Sequence, residues 1–127
     1  MSTDYPYSAV QFAQAKGGGT ALQTSLNTIL GATGRSATKL IKVEVISAKL
    51  HLDGTSATSQ NFFLKENSSD GTSYDVVVHT QDMSGIADNT WTPTKPFPLK
   101  AESDLDGSFQ NAGGLNWGLE IAYRTLF

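Results

Sequence analysis

Cysteine is absent from all 127 residues. That excludes a disulfide framework, thiolate metal sites and a cysteine nucleophile, and leaves any redox compartment open. Charge is sparse as well: 9 basic and 12 acidic residues leave a net charge of -3, with no cluster of either sign. Nucleic acid, which demands clustered Lys and Arg on one face, is therefore not an expected partner. No apolar run approaches the ~18–20 residues of a membrane span, so no membrane partner is expected either. The opening MSTDYPYSAV has no basic region followed by an apolar core, unlike a Sec-type signal. The expectation is synthesis in the cytoplasm, with any later export by another route.

Recognisable catalytic motifs are missing too. No serine sits in a GxSxG elbow. Gly17-Gly18-Gly19 has no strand before it and no Gly-Lys-Ser/Thr after it, so it is not a phosphate cradle. His51 and His79, the two histidines, lack partners at ligand spacing. Solvated or singly hydrogen-bonded imidazoles are the simpler reading against a metal site or a general base. Asp104, Asp106 and Gly107 spell part of a calcium loop, DxDG, without its further oxygen ligands or closing Glu. An acidic turn accounts for them. Asp75, Glu102 and Glu120 would have to approach within ~5–9 Å in a cleft to work as a glycosidase pair, and nothing in their spacing brings them there. No enzyme activity, catalytic residue, cofactor or metal is expected.

What the chain does contain is β grammar. In LNWGLEIAYR, Leu115, Trp117, Leu119, Ile121 and Tyr123 alternate with small or polar residues through Arg124. Period two puts the large side chains on one face, as in a long central strand of an antiparallel sheet. LIKVEVISAKLHL, Leu40 to Leu52, is the second strong strand. Its apolar parity switches near Val45–Ile46, which predicts a bulge. Asp53-Gly54 closes it. Phe62-Phe63-Leu64, Tyr74 to Thr80 and Asp104 to Phe109 read as further strands. Gln81 to Thr90 reads as a polar connection. Pro93, Pro96 and Pro98 confine the stretch after Trp91 to a sheet edge, and Asn111 to Gly114 is a turn.

The beginning is harder to read. Residues 1–19 are expected to be an N-terminal arm ending in the Gly17–Gly19 break, with Tyr5, Tyr7, Val10 and Phe12 able to dock on a sheet or a neighbour. Leu22, Leu26, Ile29 and Leu30 recur at helical spacing, which predicts a short helix over 21–30 with Thr20 as N-cap and Gly31 past its end. A loosely structured crossing of the sandwich edge is the rival reading. Gly34-Arg35-Ser36 is a turn. Residues 20–127 form one domain, of ordinary size. The fold expectation is all-β: an antiparallel, jelly-roll-like β-sandwich with an N-terminal arm and at most one short helix.

Aromatic side chains supply the candidate contacts. Trp91, Trp117, Tyr74 and Tyr123 could present a platform to a sugar ring, but Trp117 shares its face with core residues and reads as packing. Trp91 is the freer of the two tryptophans, and a buried anchor or subunit contact suits it better than a sugar platform. Tyr5, Tyr7, Phe12 and Trp91 are the candidate partner-binding residues.

Four ordered pieces carry a likeness: VEVISAKLHLDG, YDVVVHTQDMSG, TWTPTKPFPLKAESDLDGSF and NAGGLNWGLEIAYR. In this order they resemble small β-sandwich virion proteins of tailed bacteriophages, with Tyr-Asp before an apolar strand, a tryptophan-then-proline segment and an aromatic-Gly-Leu terminal strand. The first 35 residues take no part in the likeness. The resemblance implies a non-enzymatic capsid decoration or cement protein, often a homotrimer, whose partner is the major capsid or another virion protein. It would be made in the host cytoplasm and located in the virion. A charged fraction of 17% with abundant Ser, Thr, Asn and Gly is the surface common to all-β extracellular and virion proteins. The alternative is a tail-tip or spike jelly-roll module that binds a carbohydrate receptor.

Overall fold

The computed structural model describes residues 9–30, 42–68, 71–99 and 103–126. Tyr5, Tyr7, Gly31, the turn at Gly34-Arg35-Ser36 and Glu102 lie outside them. Two antiparallel sheets pack face to face. The first runs in the order β1 (Gln11–Gly18), β9 (Asn116–Leu126), β3 (Lys42–Leu52) and β6 (Asp88–Trp91), with β7 (Phe97–Leu99) pairing the start of β3. The second runs β2 (Leu22–Ser25), β8 (Asp104–Phe109), β4 (Asn61–Asn67) and β5 (Val76–Asp82). Leaving β7 aside, the chain visits the first sheet, the second, the first, the second twice, then the first, the second and the first. That path is the double Greek key of a jelly roll. The all-β sandwich expected from the sequence is the fold observed.

The alternating stripe of β9 explains its central place. Trp117, Leu119, Ile121 and Tyr123 all point into the core between the sheets, opposite Phe62, Leu64, Leu105 and Phe109 of the second sheet. Each large side chain buried this way contributes roughly 1.5–3 kcal/mol. In β3, Val43 and Val45 are buried, the register against β9 shifts between Val45 and Ser47, and burial resumes at Ala48, Leu50 and Leu52. The extra residue, Ile46, reverses the parity, so both halves of the strand keep their apolar side inward.

Four expectations need correction. Residues 11–18 are not part of an arm: they are β1, paired along its whole length with β9. The Gly17–Gly19 break is strand through Gly18, and its softness is a packing device. Ala13, Ala15 and Gly17 of β1 lie opposite Ile121, Leu119 and Trp117, small against large. A Cβ on Gly17 would come within 2.5 Å of the Trp117 ring, so only glycine admits the indole there.

The helix expected over 21–30 occupies only its second half, α1 (Leu26–Leu30). Leu22 to Ser25 is β2, paired with β8. Leu22 and Leu26 are both buried, one on a strand and one on a helix, which mimics a single helical stripe. The polar connection at 81–90 is partly strand as well, since Gln81 and Asp82 end β5 and Asp88 to Thr90 belong to β6. β6 is a short edge strand with little apolar surface to announce it. Lastly, Asp104, Asp106 and Gly107 lie within β8 rather than in a turn.

Candidate interaction surfaces

The two sheets share margins. At one, β5 and β6 meet: His79 Nε2 lies 2.7 Å from Asn89 Oδ1, and Asn89 Nδ2 donates to Gln81 Oε1 at 3.3 Å. At the other, β1 and β2 lie together, with α1 packed against both and against β8. Each margin carries exposed apolar side chains. On the β1 side these are Val10 and Phe12, the latter 61% exposed. On the β5 side they are Tyr74, 66% exposed, in a 3-10 turn leading into the strand, and Val76 and Val77, each 52% exposed. Successive residues of a strand point to opposite faces, so exposure of both valines marks the start of β5 as standing clear of the core. An open edge of β-branched residues with unpaired backbone groups is a ready surface for another chain.

Of the candidate partner-binding residues, Phe12 is thus free to make contacts. Trp91 is half-buried, its ring centroid 5.7 Å from that of Phe97 and 6.4 Å from that of His79. Phe62 stacks edge-on against His79 at 6.0 Å. Trp91 closes the β5–β6 margin of the core, which is the anchor role expected of it in place of an open sugar platform. Trp117 and Tyr123 are core residues. Trp117 Nε1 donates to the Thr20 carbonyl at 2.9 Å, and Tyr123 Oη is 3.1 Å from Gln11 Oε1. Burial holds the Tyr123 hydroxyl above its ordinary pKa.

Two open grooves lie on the outer sheet faces. One, of about 720 Å³, crosses the first sheet and is lined among others by Lys16, Lys49, His51, Asp88 and Glu120. Gly118 sits in register between Lys16 and His51 with open space above it, which makes the groove floor. His51 Nδ1 lies 2.6 Å from Asp88 Oδ1, and Gln14 Nε2 donates to Glu120 at 2.7 Å. His51 therefore has an orienting carboxylate, yet among the described residues no Ser, Thr, Tyr or Cys lines this groove for it to activate. The second groove, of about 520 Å³, crosses the other sheet and is lined by amides, hydroxyls and the ring of Phe63.

Among the described residues, the carboxylates considered from the sequence do not converge. Asp75 sits beside β4, where its Oδ2 is 3.6 Å from Lys65 Nζ and its Oδ1 accepts from the Ser68 N–H at 2.8 Å. Glu120 lies on the outer face of the opposite sheet. Asp104 Oδ1 accepts from the backbone N–H of Asn27 and of Leu105, both at 2.9 Å. Asp106 accepts from Asn67 Nδ2 at 3.3 Å. Among the described residues, no group of three or more His, Cys, Asp or Glu side chains is placed to hold a metal ion.

Asp106 carries a pH signature. Burial, then the neighbouring Asp104 charge, push its pKa above the ordinary carboxylate value. The folded state therefore holds this proton more tightly than the unfolded chain, and stability falls as pH rises through that window. Asp106→Asn is expected to raise the urea midpoint at neutral pH. The advantage should vanish once pH drops below the ordinary carboxylate range, where both forms are neutral. Solvent screening at this half-exposed site keeps the gain under ~1 kcal/mol. Equal midpoints at neutral pH would contradict the assignment.

No family model matches the chain, and no curated protein matches it in sequence.

Proposed function

We propose that this chain is a non-enzymatic structural subunit of a bacteriophage virion, a decoration or cement protein that works by protein–protein contact. The observation that supports this most is the placement of its exposed apolar residues. Val10 and Phe12 at the start of β1, and Tyr74, Val76 and Val77 at the start of β5, occupy opposite margins of one sandwich. A contact joining one margin to the other pairs two different patches of identical copies, which is a heterologous interface. Such an interface repeats head to tail and closes into a ring when the rotation allows. A ring of three suits the quasi-three-fold points of a capsid lattice. Jelly rolls are a recurrent architecture of capsid domains, and the likeness of the β3, β5 and β9 sequences to small phage virion proteins points the same way.

Val77→Lys tests both halves of the reading, because an edge lysine is a common device for blocking strand-edge association. By native mass spectrometry the wild type should be a trimer and the variant a folded monomer. In purified particles of the source phage, the wild type should approach one copy per major capsid protein, or one trimer per quasi-three-fold point, and the variant should be lost. A wild-type monomer absent from particles would end the proposal. A handful of copies would instead move the protein to the tail tip.

A further inference from the structure

The groove on the second sheet differs from its counterpart in having, among the described residues, no charged residue in its lining. Its central row crosses three strands in register, Gln23 of β2, Ser108 of β8 and Phe63 of β4. Beyond that row lie Asn61, Gln60 and Gln110. Phe63 is 37% exposed, with its ring on the solvent side of a strand whose neighbours Phe62 and Leu64 are fully buried. A phenylalanine turned outward between two buried apolar residues has no part in the core.

Half of the polar side chains around it are uncommitted. Among the described residues, the side chains of Gln23, Asn61 and Ser108 make no hydrogen bond within the protein. The other lining groups are engaged: Gln60 Oε1 accepts from the Ala112 N–H at 2.8 Å, and Gln60 Nε2 donates to Gln110 Oε1 at 3.3 Å, which leaves the Gln110 amide nitrogen free to donate. That pair ties the loop after β8 to the loop before β4 and holds one wall of the groove in place. Asp82, opposite Asn61 in register, has its carboxylate occupied by the Ser59 hydroxyl at 2.7 Å and the Ser84 N–H at 2.9 Å. These hydrogen bonds, the Ser84 N–H foremost, hold Asp82 below its ordinary pKa and anionic. It adds no donor.

We infer that this groove is a binding site for a neutral oligosaccharide, with Phe63 as the stacking floor and the amides of Gln23, Asn61 and Gln110 as hydroxyl-reading groups. The ligand class follows from the chemistry. A primary amide offers two donors and an acceptor, and a hydroxyl offers one donor and two acceptor sites, so amides read hydroxyl-rich surfaces without a charge on either partner. An aromatic ring supplies the apolar contact that the C–H face of a sugar seeks. An anionic polymer would find no cation in this lining, and an apolar peptide would strand the free amides against an unpaired surface. The inference stands apart from the assembly proposal, since the groove lies on a sheet face and the apolar residues on the margins.

The test is a titration of nitrogen-15-labelled protein with maltohexaose, cellohexaose and hexa-N-acetylchitohexaose, read at the side-chain amide resonances. Hyaluronan serves as the anionic comparison. Saturable shifts at Gln23, Asn61 and Gln110 with at least one neutral hexasaccharide are expected. Phe63→Ala should weaken that binding by about tenfold or more, equivalent to ~1.4 kcal/mol. Gln14→Ala, in the opposite groove, should leave it unchanged. Gln23→Ala, altering an exposed side chain, carries the same expectation should Phe63→Ala lose the folded spectrum. The inference is overturned if no neutral probe shifts these amides at millimolar concentration, if the shifts map to the charged groove, or if hyaluronan alone produces them.

Discussion

Asn111→Ala is expected to cost about 2–4 kcal/mol of stability, more than a surface turn residue normally commands. Asn111 is 5% exposed and sits at φ 56°, in the left-handed region. Its Nδ2 donates to the carbonyls of Thr20 and Leu115, both at 2.8 Å, and its Oδ1 accepts from the Leu115 N–H at 3.0 Å. One amide thus joins the turn before β9 to the segment between β1 and β2. The two carbonyls keep other donors, Trp117 Nε1 on Thr20 and the Gly19 N–H on Leu115. The heavier loss is the Leu115 N–H, left without its acceptor, at ~1–3 kcal/mol. Placing alanine in the left-handed region adds ~1–2 kcal/mol.

The variants at this position separate the two contributions. Asn111→Gly relieves the backbone strain and should recover roughly 1 kcal/mol of the alanine loss. Asn111→Asp keeps the acceptor for Leu115 but turns a carboxylate oxygen toward two carbonyls. It should be worse than glycine at neutral pH and partly rescued by acid. Urea unfolding at constant slope reads all three. An alanine variant within ~0.5 kcal/mol of the wild type would show that the turn does not depend on this side chain.

Trp117→Ala carries the largest expected loss, about 3–5 kcal/mol. The indole fills the space left by Gly17 on the neighbouring strand, and its removal opens a cavity between β9 and β1 that Gly17 has no side chain to fill. Gly17→Val attacks the same contact from the other side. The added side chain meets the ring at a distance no real Cβ tolerates, so β1 must shift, at ~1–3 kcal/mol. Trp117 and Asn111 both donate to the Thr20 carbonyl. The double variant should therefore lose a different amount from the sum of the single ones. Strict additivity would mean that the shared carbonyl does not couple them.

How much of this could be read from the residues depended on how each strand uses its side chains. β9 and β3 announce themselves because their inward positions are large and apolar, and the parity switch in β3 pointed directly to the bulge. β1 does not, because its inward positions are Ala13, Ala15 and Gly17, kept small to receive the large side chains of β9. A strand that supplies space to its neighbour has no stripe of its own. β2 and α1 were hidden by coincidence, since Leu22 and Leu26 face the same core from two kinds of backbone. The grooves were less legible still. Gln23, Phe63 and Ser108 meet only through register across β2, β8 and β4, and no local spacing brings them together. Phe63 was the available signal, an aromatic residue on the wrong parity of its strand. Trp91, read from the sequence as an anchor or subunit contact in preference to a sugar platform, packs against Phe97 and His79.

The order in which β9 appears also bears on how the molecule is made. It pairs with β1 on one side and β3 on the other, yet it follows both of them in the sequence. During translation β1 and β3 must wait without the partner that separates them, each presenting an unpaired edge. A sheet whose middle strand follows both of its neighbours in sequence cannot close until that strand has emerged, and its long-range pairing makes that closure slow. A product truncated before Asn116 would keep those two edges exposed together. Emergence of β9 is therefore the step that turns an association-prone nascent chain into a folded domain.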